Sequence, residues 1–437
     1  MIEQKEIEYN QNFIWDPVGR ICFARGRVFR VISPDYENKV RSFLCSELFN
    51  ELRKRNWIVD TWITEDIEVP GYHLVLEHEK VECTPTELWS FSQWKDAALF
   101  YIKIHEFCIS HGGTINDARP GNVAFKNGHP IFIDFGSLIK LDDIILHWER
   151  DFYISFWQTL YYLSEGEYFY ADAWANNAYC YYIDSQIHPS RLLEDSLHFT
   201  QSYHKVVKHY EVFVRQKYYH FKICSYWTIR MLQLINKIAR CLFRKESYWN
   251  LFKVQSVFKK PSSIMFQRIK LPYAKTDVEI LMSKLVSNSK FAKEFTSIAK
   301  SSNINSVLLY GNIPYGDIYD IRQNFDGKIH VASPNHIYAD NLYVETSKLG
   351  LDIQVLCVNI RLEIRETVLD SIHADMLCIP YNTSELFASP LILFNSANKV
   401  ANQFVIQNDN EDRKDYMDKY GYIEKKIGGY TKYTKLT

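Results

Sequence analysis

A chain of 437 residues has room for two or three domains, and with 47% apolar and 15% aromatic residues it is not a disordered chain. A formal net charge of -1 supplies no overall field toward nucleic acid or an acidic surface. The nine cysteines are scattered, with no C-x-x-C pair, and no apolar run approaches the roughly 20 residues of a membrane-spanning helix. The start, MIEQKEIEYNQNF, is too polar for a signal peptide. These features predict a cytoplasmic protein with reduced, buried thiols.

Residues 18–34, VGRICFARGRVFRVISP, alternate apolar and polar positions and predict a β-hairpin turning at Ala24-Arg25-Gly26. Residues 37–56 predict a helix, with Val40, Phe43, Leu44, Leu48 and Leu52 along one stripe and Glu47 and Glu51 beside it. Two extended runs follow, DTWITEDIEV and GYHLVLEHEKV, separated by Pro70-Gly71. Residues 86–110 predict a long amphipathic helix that puts Trp94, Ala97, Ala98, Tyr101, Ile104 and Cys108 on one side. From 145 to 255 the pattern is helical and rich in Tyr and Trp. Its part 205–260 is basic, which reads either as a solvated helix face or as a contact for an anionic partner. His78 and His105 sit among apolar neighbours and read as core or surface polar groups.

After Lys260-Pro261 the texture changes. A helix over 276–300 precedes strands at SVLLYG, KIHVAS and DIQVLCVNI, separated by a loop and then by a helix over Tyr338–Leu349. MLCIP and LILFNS read as further strands, and GYIEKKIGGYTKYTKL as a closing hairpin. Strands alternating with helices predict a parallel α/β sheet. The expected division is 1–145, 146–260 and 261–437.

The stretch NDARPGNVAFKNGHPIFIDFGS (116–137) carries the chemistry. Asp117 is followed five positions on by Asn122, and twelve further by Asp134 of an Asp-Phe-Gly. Phosphoryl transfer needs positioning and charge stabilisation more than covalent chemistry. A loop acid facing the acceptor hydroxyl, with an amide and a second acid as oxygen ligands for Mg²⁺, meets that need. Asp117 would be base or orienter, and Asn122 and Asp134 would hold Mg²⁺. Arg30 in RVFRVIS, paired with Glu47 or Glu51, would touch the phosphates of ATP.

This stretch resembles the catalytic and metal loops of the protein-kinase-like fold, in the manner of aminoglycoside and choline kinases. The resemblance implies an α+β bilobal domain over 1–145 with a helical extension over 146–260. No G-x-G-x-x-G covers the phosphates, and arginine stands where the strand lysine is usual.

The wording of the whole chain resembles the two-part family of NoeA-related nodulation methyltransferases. It echoes in WDPVGRICFARGRVFRVI, LVLEHEKV, ELWSFSQWKDAAL, NDARPGNVAF and IFIDFGS. That resemblance implies a class I Rossmann-like domain over 261–437 that binds S-adenosylmethionine. Gly311 would form the cofactor turn, Ser333 and Asn335 would stand at the ribose position, and Asn359 at the adenine position. The departures are specific. Leu309-Tyr310 replaces the acid before the turn, Gly316 comes one position late, and Ser333 and Asn359 replace carboxylates.

Three functions are therefore expected in order. The first is Mg-ATP-dependent phosphotransfer to a hydroxyl of a small molecule or glycan. The second is S-adenosylmethionine-dependent methyl transfer with a kinase-like scaffold. The third is a non-catalytic interaction protein.

Overall fold

A computed structural model describes residues 2–10, 16–115, 117–138, 289–358, 374–379, 403–407, 422–427 and 430–435, with 152, 155, 156, 159, 160 and 163. The described residues fall into two compact units. One lies within Met1–Glu82, Lys95–Ala124 and Pro130–Leu271, the other within Cys83–Trp94, Phe125–His129 and Pro272–Thr437. The basic segment 205–260, the strand at LILFNS and Asn359 lie outside the described residues.

The first unit is built on a five-stranded antiparallel sheet: β1 (Glu8–Tyr9), β2 (Gly19–Ala24), β3 (Arg27–Ile32), β4 (Thr61–Ile63) and β5 (Val75–His78), in the order β1-β2-β3-β5-β4. The expected hairpin is β2–β3, and its turn forms because Arg25 and Gly26 both take positive φ, 48° and 72°. The helix expected over 37–56 is two helices, α1 (Glu37–Leu44) and α2 (Glu47–Lys54). Ser46 divides them, because its hydroxyl accepts from the Phe49 amide at 3.2 Å and starts a new helix. α3 (Phe91–Ser110) follows, then β6 (Val123–Lys126) and β7 (His129–Phe132), joined by a turn in which Asn127 and Gly128 have φ of 51° and 72°.

The core of this unit gathers around Phe135, which is fully buried. Its ring meets Phe43 at 5.5 Å, Phe49 at 6.0 Å and His78 at 5.8 Å. Edge-on aromatic contacts of this kind add roughly 0.5–1.5 kcal/mol beyond area burial. They anchor the residue between Asp134 and Gly136 and so fix both neighbours.

The second unit holds a seven-stranded sheet: β8 (Ser306–Tyr310), β9 (Lys328–Ser333), β10 (Gln354–Cys357), β11 (Met376–Ile379), β12 (Gln403–Gln407), β13 (Tyr422–Ile427) and β14 (Tyr430–Lys435). The order is β10-β9-β8-β11-β12-β14-β13. β8 to β12 run parallel, and β14 lies antiparallel between β12 and β13. The closing hairpin is β13–β14. The chain winds outward from β8 to β10 and returns to β11 on the other side of β8, so a topological switch point lies between β8 and β11. This is the expected Rossmann-like α/β sheet.

Among the described residues its helices are α4 (Ser289–Ser302), α5 (Tyr315–Asn324) and α6 (His336–Lys348). α5 occupies the β8–β9 connection expected as a loop. Its apolar signal is short: only Asp317, Ile318 and Ile321 are buried.

Segments from earlier in the sequence complete this second unit. The Ser92 amide donates to Asp340 Oδ1 at 2.5 Å and its hydroxyl to Oδ2 at 3.0 Å. Gln354 Nε2 donates to the Phe125 carbonyl at 3.2 Å, and Tyr343 packs its ring 5.6 Å from that of Phe125. The Tyr343 hydroxyl also donates to the Gly128 carbonyl at 3.2 Å.

Candidate functional sites

In the first unit the loop 117–122 is closed on itself. Tyr101, buried in α3, donates its hydroxyl to the Asp117 carbonyl. Asn122 Nδ2 donates to the same carbonyl at 3.1 Å. The Ile133 amide donates to the Asn122 carbonyl at 2.9 Å, and the Asp117 amide donates to Ser137 Oγ at 3.1 Å. These bonds hold the loop of Asp117 and Asn122 against the turn of Asp134. The Asp117 carboxylate stands 2.9 Å from Arg119 Nε, so the loop supplies its own cation for the acid.

Arg30 reaches the same place from β3. It is 3% exposed, and its Nη2 lies 3.3 Å from Asp134 Oδ1. Its other terminal nitrogen pairs with Asp16, which comes just before β2. The pairing expected with Glu47 or Glu51 does not form. Glu47 is exposed, and Glu51 pairs within its own helix region, 3.2 Å from Arg55 and 3.6 Å from Lys54. The helix break at Ser46 places these acids at the start and middle of α2, where i,i+3 and i,i+4 partners are nearer than β3.

Asp16 went unnoticed in the sequence because no motif marks it. Asp-Pro-Val-Gly is the only signal, an Asx turn in which the Val18 amide donates to Asp16 Oδ1 at 2.9 Å. The carboxyl of Asp134 titrates above its ordinary value. Burial raises it, and the nearby Arg30 guanidinium offsets part of that rise.

Asn122 spends its amide nitrogen on Asp117, which leaves the amide oxygen as its ligand atom. With the Asp134 carboxylate it offers hard oxygen ligands, the kind Mg²⁺ takes beside phosphates and water. Among the described residues no cluster of three or more His, Cys, Asp or Glu could hold a metal ion on its own.

In the second unit, Gly311 ends β8 with φ of 117°, a conformation that favours glycine, and its amide donates to the Ala332 carbonyl at 2.9 Å. Ser333, at the end of β9, is fully buried. Its hydroxyl donates to Asn312 Oδ1 at 2.6 Å and accepts from the Asn335 amide at 3.1 Å. Asn335 caps α6 by accepting from the Tyr338 amide at 3.0 Å. The Tyr338 hydroxyl accepts from the Ile313 amide at 3.0 Å and donates to the Ile313 carbonyl, which pins the turn after Gly311.

Ser333 is thus an internal member of a neutral network, and Asn335 and Asn312 are its half-buried members. Asn312, beside the turn, is the one that sequence reasoning did not single out. Next to it, Cys357 Sγ lies 3.0 Å from His336 Nδ1, and burial lowers the His336 pKa to about 4. A nucleoside cofactor fits this edge only through the backbone of the turn and neutral side chains.

No protein-family model matches the chain, and no curated protein matches it. Among solved structures it is similar to the O-methyltransferase TomG from Streptomyces achromogenes, determined with S-adenosylmethionine (12% identity, TM-score 0.28, 38% of this chain and 87% of that one). It is similar as well to a methyltransferase from Geobacter sulfurreducens (12%, TM-score 0.27, 38% and 92%). A third is an O-methyltransferase from Bacillus cereus with S-adenosylhomocysteine (10%, TM-score 0.27, 46% and 97%). At these identities and scores, any functional reading rests on the chain's own residues. Among the described residues no helix is long and apolar enough to cross a membrane.

Proposed function

We propose that the second unit is a methyltransferase-type domain that takes S-adenosylmethionine at the carboxyl edge of β8 and β9. The observation that supports this is the place of Gly311. It sits at the end of the first strand of a doubly wound sheet, beside the switch point, in a φ region that lets backbone approach a ligand. Gly311 and Asn312 would hold the cofactor, and Ser333 would orient the Asn312 amide. Bound S-adenosylmethionine would supply an electrophilic methyl group. Neutral contacts replace charge-assisted ones, each of which contributes about 1.5–3 kcal/mol, so the affinity is expected to be modest. Titration calorimetry of the full chain with S-adenosylhomocysteine tests the reading. Binding that is weakened in Asn312→Ala supports it, and the absence of heat at millimolar ligand ends it.

A second reading is favoured by the contact of Arg30 with Asp134. The first unit would be a kinase-like phosphotransferase acting on a hydroxyl of a small molecule or glycan. Asn122 and Asp134 would hold Mg²⁺, Arg30 would face the phosphates of ATP, and Asp117 would orient the acceptor. Thermal stabilisation by ATP with Mg²⁺, lost in Asp134→Ala, is the expected result. The same stabilisation persisting in that variant would remove the reading.

A further inference from the structure

A guanidinium that is 3% exposed needs its charge met nearby, because an uncompensated buried charge costs several kcal/mol. Two carboxylates meet it here, and they come from positions far apart in the sequence. Asp134 comes from the turn after β7. Asp16 comes from the approach to β2 and belongs to no helix.

The corner that carries Asp16 is tightly set. Asp16 Oδ1 accepts from the Val18 amide at 2.9 Å, and the Val18 carbonyl accepts from the Ser33 amide at 2.9 Å. Gly19 follows, where a Cβ would stand 2.0 Å from the Val31 carbonyl oxygen, so the chain passes β3 more closely than any side chain allows. The far side is equally close. A Cβ on Gly136 would stand 2.5 Å from Arg30 Nη1 and 2.6 Å from Asp16 Oδ2. The Asp16–Arg30 pair therefore lies directly on the bare backbone of the Asp-Phe-Gly turn.

We propose that Asp16 is the positioning residue for Arg30. It holds the guanidinium on Gly136 so that Arg30 touches Asp134 through one nitrogen only. This deepens the phosphotransferase reading and rests on it. The Asp134 carboxyl also takes the backbone amides of Gly136 and Ser137, and Arg30 leaves its second oxygen to them and to a metal ion as long as Asp16 is in place. Without it, both terminal nitrogens of Arg30 turn to Asp134 in a two-pronged pair, the favoured geometry for Arg with a carboxylate, and compete with the metal. The charge partner of Arg30 is then supplied by the β2 corner and not by the α2 acids Glu47 and Glu51.

The test uses the full chain and measures ATP affinity as a function of Mg²⁺ concentration. Four proteins are compared: wild type, Asp16→Asn, Asp16→Glu and the double variant Glu47→Gln/Glu51→Gln. The inference expects Asp16→Asn to bind ATP about tenfold more weakly or worse, with saturation shifted to higher Mg²⁺, as loss of one charge-assisted contact predicts. Asp16→Glu recovers part of that loss, and the double variant behaves as wild type. Unchanged metal dependence in Asp16→Asn, or an equal loss in the double variant, overturns it. If Asp16→Asn does not fold, the Asp16→Glu metal profile decides: saturation shifted to higher Mg²⁺, but by less than in Arg30→Met, supports the role, and a profile the same as wild type overturns it. Wild-type protein that binds no ATP at any Mg²⁺ concentration removes the phosphotransferase reading itself, and that outcome is visible before any variant is made.

Discussion

Arg30 on β3 and Asp134 after β7 are 104 positions apart in sequence, yet their side chains meet at 3.3 Å. The contact ties the sheet of the first unit to the turn that carries the Asp-Phe-Gly.

Arg30→Met removes the cation and leaves Asp16 and Asp134 facing each other. The two carboxylates are 25% and 23% exposed, so water screens part of their repulsion. A loss of about 1–3 kcal/mol is expected in urea unfolding. Arg30→Lys keeps the charge but cannot bond both acids in the same plane, and falls between the two.

Gly136→Ala places a methyl against Arg30 and Asp16. One of the three must move, and crowding a closed site costs about 1–3 kcal/mol. Chemical denaturation measures the loss. The further expectation is weaker ATP stabilisation, because the displaced group is the guanidinium and no apolar core is opened.

Ser333→Ala deletes the hydroxyl that orders Asn312 and bonds the Asn335 amide. It leaves the half-buried Asn335 amide without its acceptor, which costs about 1 kcal/mol of stability. Binding of S-adenosylhomocysteine should fall in step with that in Asn312→Ala. A Ser333→Ala protein that is destabilised but binds as wild type would show that the network is architectural only.

Two histidines set an acid limit. Burial lowers the His78 pKa from 6.5 to about 3, and that of His336 from 6.5 to about 4. Below pH 6.5 the unfolded chain binds protons that the folded chain refuses, so stability falls as pH drops. The slope is about 1.4 kcal/mol per pH unit per histidine, with both contributing down to about pH 4 and His78 alone below that. Urea unfolding from pH 7 to pH 4 measures it. His336→Gln should flatten the fall by about one proton's worth, and an unchanged slope would refute the assignment.

Many of the strands were legible along the chain because turns and alternation are local. Arg25-Gly26 marked the β2–β3 hairpin, and KIHVAS and MLCIP marked buried parallel strands. Three things were not legible, each for a physical reason. The division of α1 from α2 depends on one serine hydroxyl, inside an apolar stripe that runs on unbroken. α5 buries too few apolar residues to show a period. The partner of Arg30 is chosen by tertiary geometry, and Glu47 and Glu51 were nearer to expectation than Asp16 only because helix acids follow β3 in sequence. In the second unit the replaced residue at Ser333 was visible, but the neutral network that enlists Asn312 was not, because it depends on which side chains face one another across the ends of β8 and β9.

The second unit draws Cys83–Trp94 and Phe125–His129 from the earlier half of the chain. A fragment cut to begin at residue 272 would therefore lose the two Ser92 bonds to Asp340 and the Phe125 carbonyl that receives Gln354. The Asp340 carboxylate would lose both Ser92 donors, and the ring of Tyr343 would lose its contact with Phe125. The Rossmann-like sheet is a module by architecture but not by excision, and enzymology on the isolated carboxyl-terminal half would be measured on a damaged protein.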